Sequence, residues 1–332
     1  MKKLFIAIFI CIILLSACGT PSAGTQDDSS TRLSETAVAF TDDLGRQVTV
    51  DRPQRVVCLT ASFADIWYLA GGVEEIVAAT NATWLYFDLP LREDTVNLGA
   101  SKELNLEQLI ACEPDLILAS CGTDRNVELE TVFEEMGMNV AYFDVDSFED
   151  YLHMLEICTQ ITGHPESYEL YGTQVAAEVE HALARAQTAL SQNPDGADLP
   201  ENASAPSVLY IRAPGRSCKV KNSEGSVLGE MLANLGCKNI ADQENSLLEQ
   251  LSMEVILQAD PDHIFVVLQG IDPTGARETL ENTLLSNPAW SALTAVQEGR
   301  FHIMDQNLYN MKPNERWGEA YEKLADILYP AK

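Results

Sequence analysis

Arg212, Arg216, Lys219 and Lys221 stand close together in the stretch RAPGRSCKVKN, in a chain with 21 Lys and Arg among 332 residues and a net charge of -29. A basic cluster against so acidic a background is not generic surface. Guanidinium groups fork onto carboxylates and ammonium groups act as point charges, so at a low-dielectric cleft the cluster favours an anionic ligand. Trp84 and Tyr86 lie in a polar stretch from Asn81 to Leu91, read as a loop, where they can stack on a flat or cyclic ligand. Catalytic patterns are missing. The sequence holds no phosphate loop, no GxGxxG after a strand, no nucleophile elbow and no HExxH. Ser62 follows a strand and precedes a helix, as a nucleophile would, but its surroundings, TASFAD, lack flanking glycines. The carboxylate pairs Asp42-Asp43 and Glu134-Glu135 read as solvated acidic surface, because adjacent residues on an element point apart. His153, His164, His181, His263 and His302 are scattered, and no cysteines form a CxxC. No catalytic residue, metal site or resident cofactor is therefore assigned, and the expected class is a binding protein rather than an enzyme.

The start of the chain places this binding chemistry outside the cytoplasm. Lys2 and Lys3 precede an apolar run, Leu4 to Leu15, followed by Ser16, Ala17 and Cys18. A basic start, an apolar stretch and small residues at a cleavage point describe an export signal over 1–17. The run is shorter than the ~18–20 apolar residues that span a bilayer. LSAC also resembles the bacterial lipobox, in which cleavage precedes a cysteine that becomes lipidated; this implies an anchor at Cys18. Residues 18–37, rich in Ser, Thr, Gly and Asp, suit a flexible tether. The acidic surface repels nucleic acid and anionic headgroups, so no nucleic-acid partner is expected and the lipid must hold the membrane. Of the six cysteines beyond Cys18, Cys58, Cys112 and Cys158 sit in apolar runs and read as small buried hydrophobes.

Two matching stretches reveal the architecture. NLEQLIACEPDLILAS runs from Asn105 to Ser120, and SMEVILQADPDHIFVV from Ser252 to Val267. In each, Asn105 or Ser252 caps a helix, Pro114 or Pro261 ends it, and an apolar strand follows. Further strands are expected at Ala39–Thr41, Gln47–Val50, Arg55–Leu59, Ile76–Ala79, Asn139–Phe143, Ser207–Ile211 and Phe301–Met304. Helices are expected at Phe63–Ala70, Val127–Met136, Val227–Leu235 and Trp317–Leu328, with a long one from Pro165 to about Gln192. Trp317 and Trp290 are expected to pack in cores. Alternating strands and helices mean parallel sheets. The fold class is α/β: two lobes, each a mostly parallel sheet flanked by helices, joined by one long inter-lobe helix. The N-terminal lobe is expected over 38–162, the connecting helix over 163–192, a linker over 193–206 and the C-terminal lobe over 207–332.

The stretches TDDLGRQVTVDRPQRVVCLTASFADIWYLAGGVEEIVAAT, NLEQLIACEPDLILAS, SVLGEMLANLGCKNIAD and AVQEGRFHIMDQNLYNMKPNERWGEAYEKLADILYP fall in order along nearly the whole mature chain. Together with the lipobox they resemble the substrate-binding lipoproteins of ABC importers, in the branch that handles iron–siderophore complexes, haem and cobalamin. The resemblance implies a ferric siderophore or related metal chelate as ligand, with haem or a corrinoid as rivals, and an ABC permease and its ATPase as partners. It also implies that Glu107 and Glu230 are acidic docking knobs, one per lobe. Ligands of open parallel sheets bind beyond the carboxyl ends of the strands. That rule assembles Ser62, Phe63, Trp84, Tyr86 and Arg125 from the first lobe, and Arg212, Lys219, Lys221, Tyr309 and Lys312 from the second. Haem would need an axial ligand, for which Tyr309, Met311 or Tyr86 could serve.

Overall fold

The computed structural model describes residues 36–191, 205–270 and 273–330. The export signal, Cys18, most of the tether and most of the 193–206 linker lie outside the described residues. A two-stranded antiparallel hairpin, β1 (Val38–Thr41) and β2 (Gln47–Val50), leads into the first sheet. That sheet comprises β3 (Val56–Cys58), β4 (Ile76–Ala79), β5 (Val96–Asn97), β6 (Leu116–Ser120) and β7 (Val140–Phe143), in the order β5-β4-β3-β6-β7. Every pairing in it is parallel. The second sheet contains β8 (Ser207–Ala213), β9 (Lys219–Lys221), β10 (Lys238–Asn239), β11 (His263–Leu268) and β12 (Phe301–Met304). Its parallel order is β10-β8-β11-β12, with β9 running antiparallel beside β8. Among the described residues no helix is long and apolar enough to cross a membrane.

The repeated stretches fold alike down to their caps. The Asn105 side chain accepts the Gln108 amide at 3.1 Å, and the Ser252 hydroxyl accepts that of Val255 at 3.5 Å. The residue before each proline leaves the right-handed helical region, Glu113 at φ 44° and Asp260 at φ 38°. The aspartate after each proline then does a further job. Asp115 accepts the amides of Gln54 and Arg55, just ahead of β3, and Asp262 accepts that of Ser207 at the start of β8. Each copy thus fixes where the first strand of its own sheet begins.

Between the sheets runs a helix from Pro165 to Ser191, broken only by a π turn at Glu169–Thr173. The Phe148–Thr162 helix before it was not expected from the sequence, although a reciprocal Ser147–Asp150 capping box starts it. The helix expected over Val127–Met136 is instead two short ones, Asp124–Glu128 and Glu130–Glu135. One apolar cluster joins both sheets. Val56 and Cys58 of β3, and Tyr210 and Phe265 of β8 and β11, belong to it together with the Phe148–Thr162, Gln174–Ser191 and Trp317–Leu328 helices. The opposite face of each sheet has a cluster of its own. Trp317 and Trp290 are buried, as are Cys58, Cys112 and Cys158, and all six described cysteines are free thiols.

The Asp42-Asp43 pair departs from the expected solvated surface. Asp42 is buried, and its carboxylate pairs with Arg46 at 2.6 Å while accepting the Tyr142 amide. Burial alone would raise its pKa, but those hydrogen bonds hold it below the ordinary value. Asp43 accepts the Asp144 amide at 2.6 Å, so the turn between β1 and β2 braces the end of β7.

Candidate functional site

The basic cluster is a strand pair, not an open loop. Arg212 stands opposite Lys219, and Tyr210 opposite Lys221, across β8 and β9. Side chains alternate along a strand. Val208 and Tyr210 face the shared core, so Arg212 continues that face beyond its apolar part, joined by Lys219 and Lys221. Arg212 donates through Nε to the Tyr210 hydroxyl at 3.4 Å. Arg212 and Lys221 are half-buried, whereas Lys219 and Arg216 are exposed. Burial, then repulsion from Arg212, depresses the Lys221 pKa; the carboxylate of Asp146 opposes the shift.

Asp146 lies between β7 and the Phe148–Thr162 helix, at the carboxyl end of the first sheet. Its Oδ1 accepts from Lys312 Nζ at 2.6 Å, with side-chain exposures of 18% for Lys312 and 26% for Asp146. Its charge also acts on Tyr210, Glu230 and Asp144. Elements remote in sequence therefore converge at one place: the end of β7, the β8–β9 pair and the segment after β12.

Lys312 also lines a cavity of 310 Å³. Tyr68, Tyr86, Phe87 and Leu89 form one side; Met311, Pro313 and Arg316 contribute from the other. Asp65 lines it too, and burial pushes its carboxyl up to about 6 although Asn314 Nδ2 donates to it at 2.7 Å. Asn314 is fully buried and also donates to the Ser62 carbonyl at 2.9 Å, tying the C-terminal segment to the first helix.

The expected ligand residues divide accordingly. Arg212, Lys221 and Lys312 are brought together, with Lys219 at the exposed edge. Tyr86 lines the cavity, and Trp84, 41% exposed, sits on the same short helix, Ala82–Tyr86, which replaces the expected loop. Phe63 and Tyr309 are corrected to core residues. Phe63 packs edge-on against Phe143, and Tyr309 is 2% exposed with its hydroxyl donated to the Ala320 carbonyl. Tyr309 is thereby removed as an axial ligand. The Ser62 side chain is buried, and the residue acts through its carbonyl. Arg125 pairs with Glu128 on its own helix at 3.2 Å. Glu107 is exposed in the first turn of its helix, while Glu230 is half-buried and accepts the Gly225 amide at 3.2 Å. Asp146, Asp65 and Asn314 were missed from sequence. The strand-end rule, extended to β7, would have reached Asp146; nothing local marks Asn314.

Two α/β sheets, a helical connector and a polar site at the strand ends invite comparison with known proteins. Residues 56–308, more than half of the chain, match the family described as periplasmic binding protein. The chain belongs to that family. Among similar proteins of this kind, an uncharacterized ABC transporter substrate-binding lipoprotein, YvrC of Bacillus subtilis, is 23% identical over 99% of this chain and 98% of its own length. The Fe(3+)-citrate-binding protein YfmC of the same organism is 25% identical over 91% of this chain and 90% of its own. The crystal structure of Staphylococcus aureus SirA complexed with staphyloferrin B superposes with a TM-score of 0.62 at 21% identity, covering 88% of this chain and 97% of that one. That likeness establishes the fold of this periplasmic binding protein.

Proposed function

We propose that the protein is the extracytoplasmic solute-binding component of an ABC importer, and that it carries an anionic ferric chelate, of the ferric siderophore or ferric citrate kind, to a permease and its ATPase. One observation carries the ligand class. Lys221, beside Arg212 on the β8–β9 pair, feels the charge of Asp146, and Asp146 holds Lys312 of an aromatic-walled cavity, in an otherwise acidic protein. Carboxylate arms of a chelate fit forked and point-charge donors, and the aromatic wall supplies contact area. An Fe(3+)-citrate-binding protein and a Vitamin B12-binding protein are each 25% identical to this chain, so the choice over haem or a corrinoid rests on the charge of the site. Residues 38–162 and 207–332 serve as the lobes and 163–192 as the connector. Glu107 and Glu230 serve as permease contacts, and a lipid on Cys18 holds the protein at the outer face of the membrane. The iron is cargo, and no catalytic step is assigned. Tryptophan-quenching titration with ferric citrate, haem and cobalamin tests the reading. Saturable binding of ferric citrate that weakens with salt is expected; preference for haem or cobalamin, insensitive to salt, would overturn the ligand class.

A further inference from the structure

We propose that Asp146 is a built-in competitor at the cationic site: its carboxylate takes the charge position that a ligand carboxylate contends for, so that the site selects chelates with several negative charges. The assignment rests on the ligand class proposed above. Its basis is geometric. Asp146 holds Lys312 at 2.6 Å with both side chains largely shielded from water, and its charge reaches Lys221 and Tyr210 on the opposite sheet. The backbone that carries the carboxylate is set, because the Asp146 and Ser147 amides both donate to Asp150 Oδ2, at 3.2 and 2.8 Å, and Lys312 holds the carboxylate itself. An anion approaching Arg212, Lys221 and Lys312 therefore meets a fixed negative charge already among them. A singly charged ligand gains little by replacing one carboxylate with another. A polycarboxylate engages Arg212 and Lys221 as well, and overcomes the repulsion.

Asp146→Asn keeps the shape and the backbone bonds and removes the charge. Melting of the purified protein is compared in sodium citrate and in sodium chloride at matched ionic strength, and affinity for ferric citrate is titrated alongside. The variant is expected to melt lower than wild type in chloride, because Lys312 loses its partner, and to recover more than wild type in citrate. Its affinity for ferric citrate should rise on the order of tenfold, the factor of one charged contact. Adding Arg212→Ala should abolish the citrate recovery. A citrate response equal to or weaker than that of wild type overturns the inference. The two readings fail separately. Wild-type binding of ferric citrate without gain in Asp146→Asn leaves the ligand class standing and removes the competitor. Citrate recovery in Asp146→Asn, with no ferric citrate bound by either protein, does the reverse. Should Asp146→Asn not fold, Asp146→Ser is read by the same criteria.

Discussion

Gly229 decides how closely the helix Val227–Asn234 approaches the strand that carries Lys221. A β-carbon at this position would lie 2.6 Å from the Asn222 carbonyl oxygen, 2.7 Å from that of Ser223 and 2.7 Å from the Ser226 hydroxyl. Two of these atoms are backbone and cannot retreat. The Ser223 amide and hydroxyl are held by Asp242 at 2.8 and 2.7 Å, and the Lys221 carbonyl accepts from Asn239 at 2.9 Å. Overpacking of this kind costs about 1–3 kcal/mol. Replacing a helical glycine by alanine returns about 0.5–1 kcal/mol. With two immobile carbonyl oxygens at 2.6 and 2.7 Å the cost lies in the upper part of that range, so Gly229→Ala should be destabilised by about 1–2 kcal/mol, and by shifting Lys221 it should weaken ferric citrate binding. Gly275 is the control: its β-carbon would meet only the Gly215 carbonyl, at an ordinary 3.9 Å. Gly275→Ala should be neutral or stabilised by up to about 0.5–1 kcal/mol, with affinity unchanged. Urea unfolding of both variants with unchanged slopes gives the comparison. A Gly229→Ala protein as stable as wild type would refute the argument that the close approach is rigid.

Other outcomes follow from the same geometry. Arg212→Ala should weaken ferric citrate binding by roughly tenfold or more, and exposed Lys219→Ala by less than about fivefold, as titration at low and physiological salt will read. His263 Nδ1 and His302 Nε2 stand 3.3 Å apart, and burial, then the neighbouring imidazole, depresses His263 to about 4 from an ordinary 6.5. Between those values the unfolded chain binds the extra proton, so stability should fall as pH drops from 6.5 towards 4, and His263→Gln should flatten that part of a urea-midpoint profile. Glu107→Lys with Glu230→Lys should abolish uptake in cells while purified protein keeps its ligand affinity; normal uptake would remove both from docking. Solution scattering should register only a slight change in radius of gyration on ligand binding, and a large compaction would contradict a stiff connector.

The framework was legible because its signals are local. Caps at Asn105 and Ser252, prolines at 114 and 261 and the apolar runs after them each act over a few residues, and the structure places those strands where the pattern put them. The long connector announced itself by composition. The Phe148–Thr162 helix was equally local but went unread, since its Ser147–Asp150 box sits in an acidic run that resembles surface. The site was legible only by halves. Charge contrast pointed to Arg212 and Lys221, and the strand-end rule to Tyr86 and Lys312, which the structure places at the strand pair and at the cavity. Neither could tell that Phe63 and Tyr309 turn inward, because burial depends on what the rest of the chain packs against them. Asp146 became meaningful only through Lys312, far off in sequence, and no local pattern encodes that pairing.

The segment from Tyr309 to Trp317 shows why specificity and stiffness coincide in this fold. Tyr309 is anchored in the core by its hydroxyl, Asn314 clasps Ser62 and Asp65 of the first lobe, and Trp317 packs on Phe148 at 5.9 Å between ring centroids. Met311 and Lys312, which line the cavity, are carried between those fixed points. The Asn314 backbone adopts φ 52°, in the left-handed region, a conformation that persists where surrounding contacts over-determine it. A segment so clamped holds Lys312 against Asp146 before any ligand arrives. Little ordering remains to oppose binding, so charge complementarity appears more fully as affinity. A wide hinge would require breaking the Asn314 clasp and opening the apolar cluster that both sheets share. On the ligand class proposed above, the lobes would act less as jaws than as two halves of a preset cradle, and discrimination would rest on which charges the ligand brings to it.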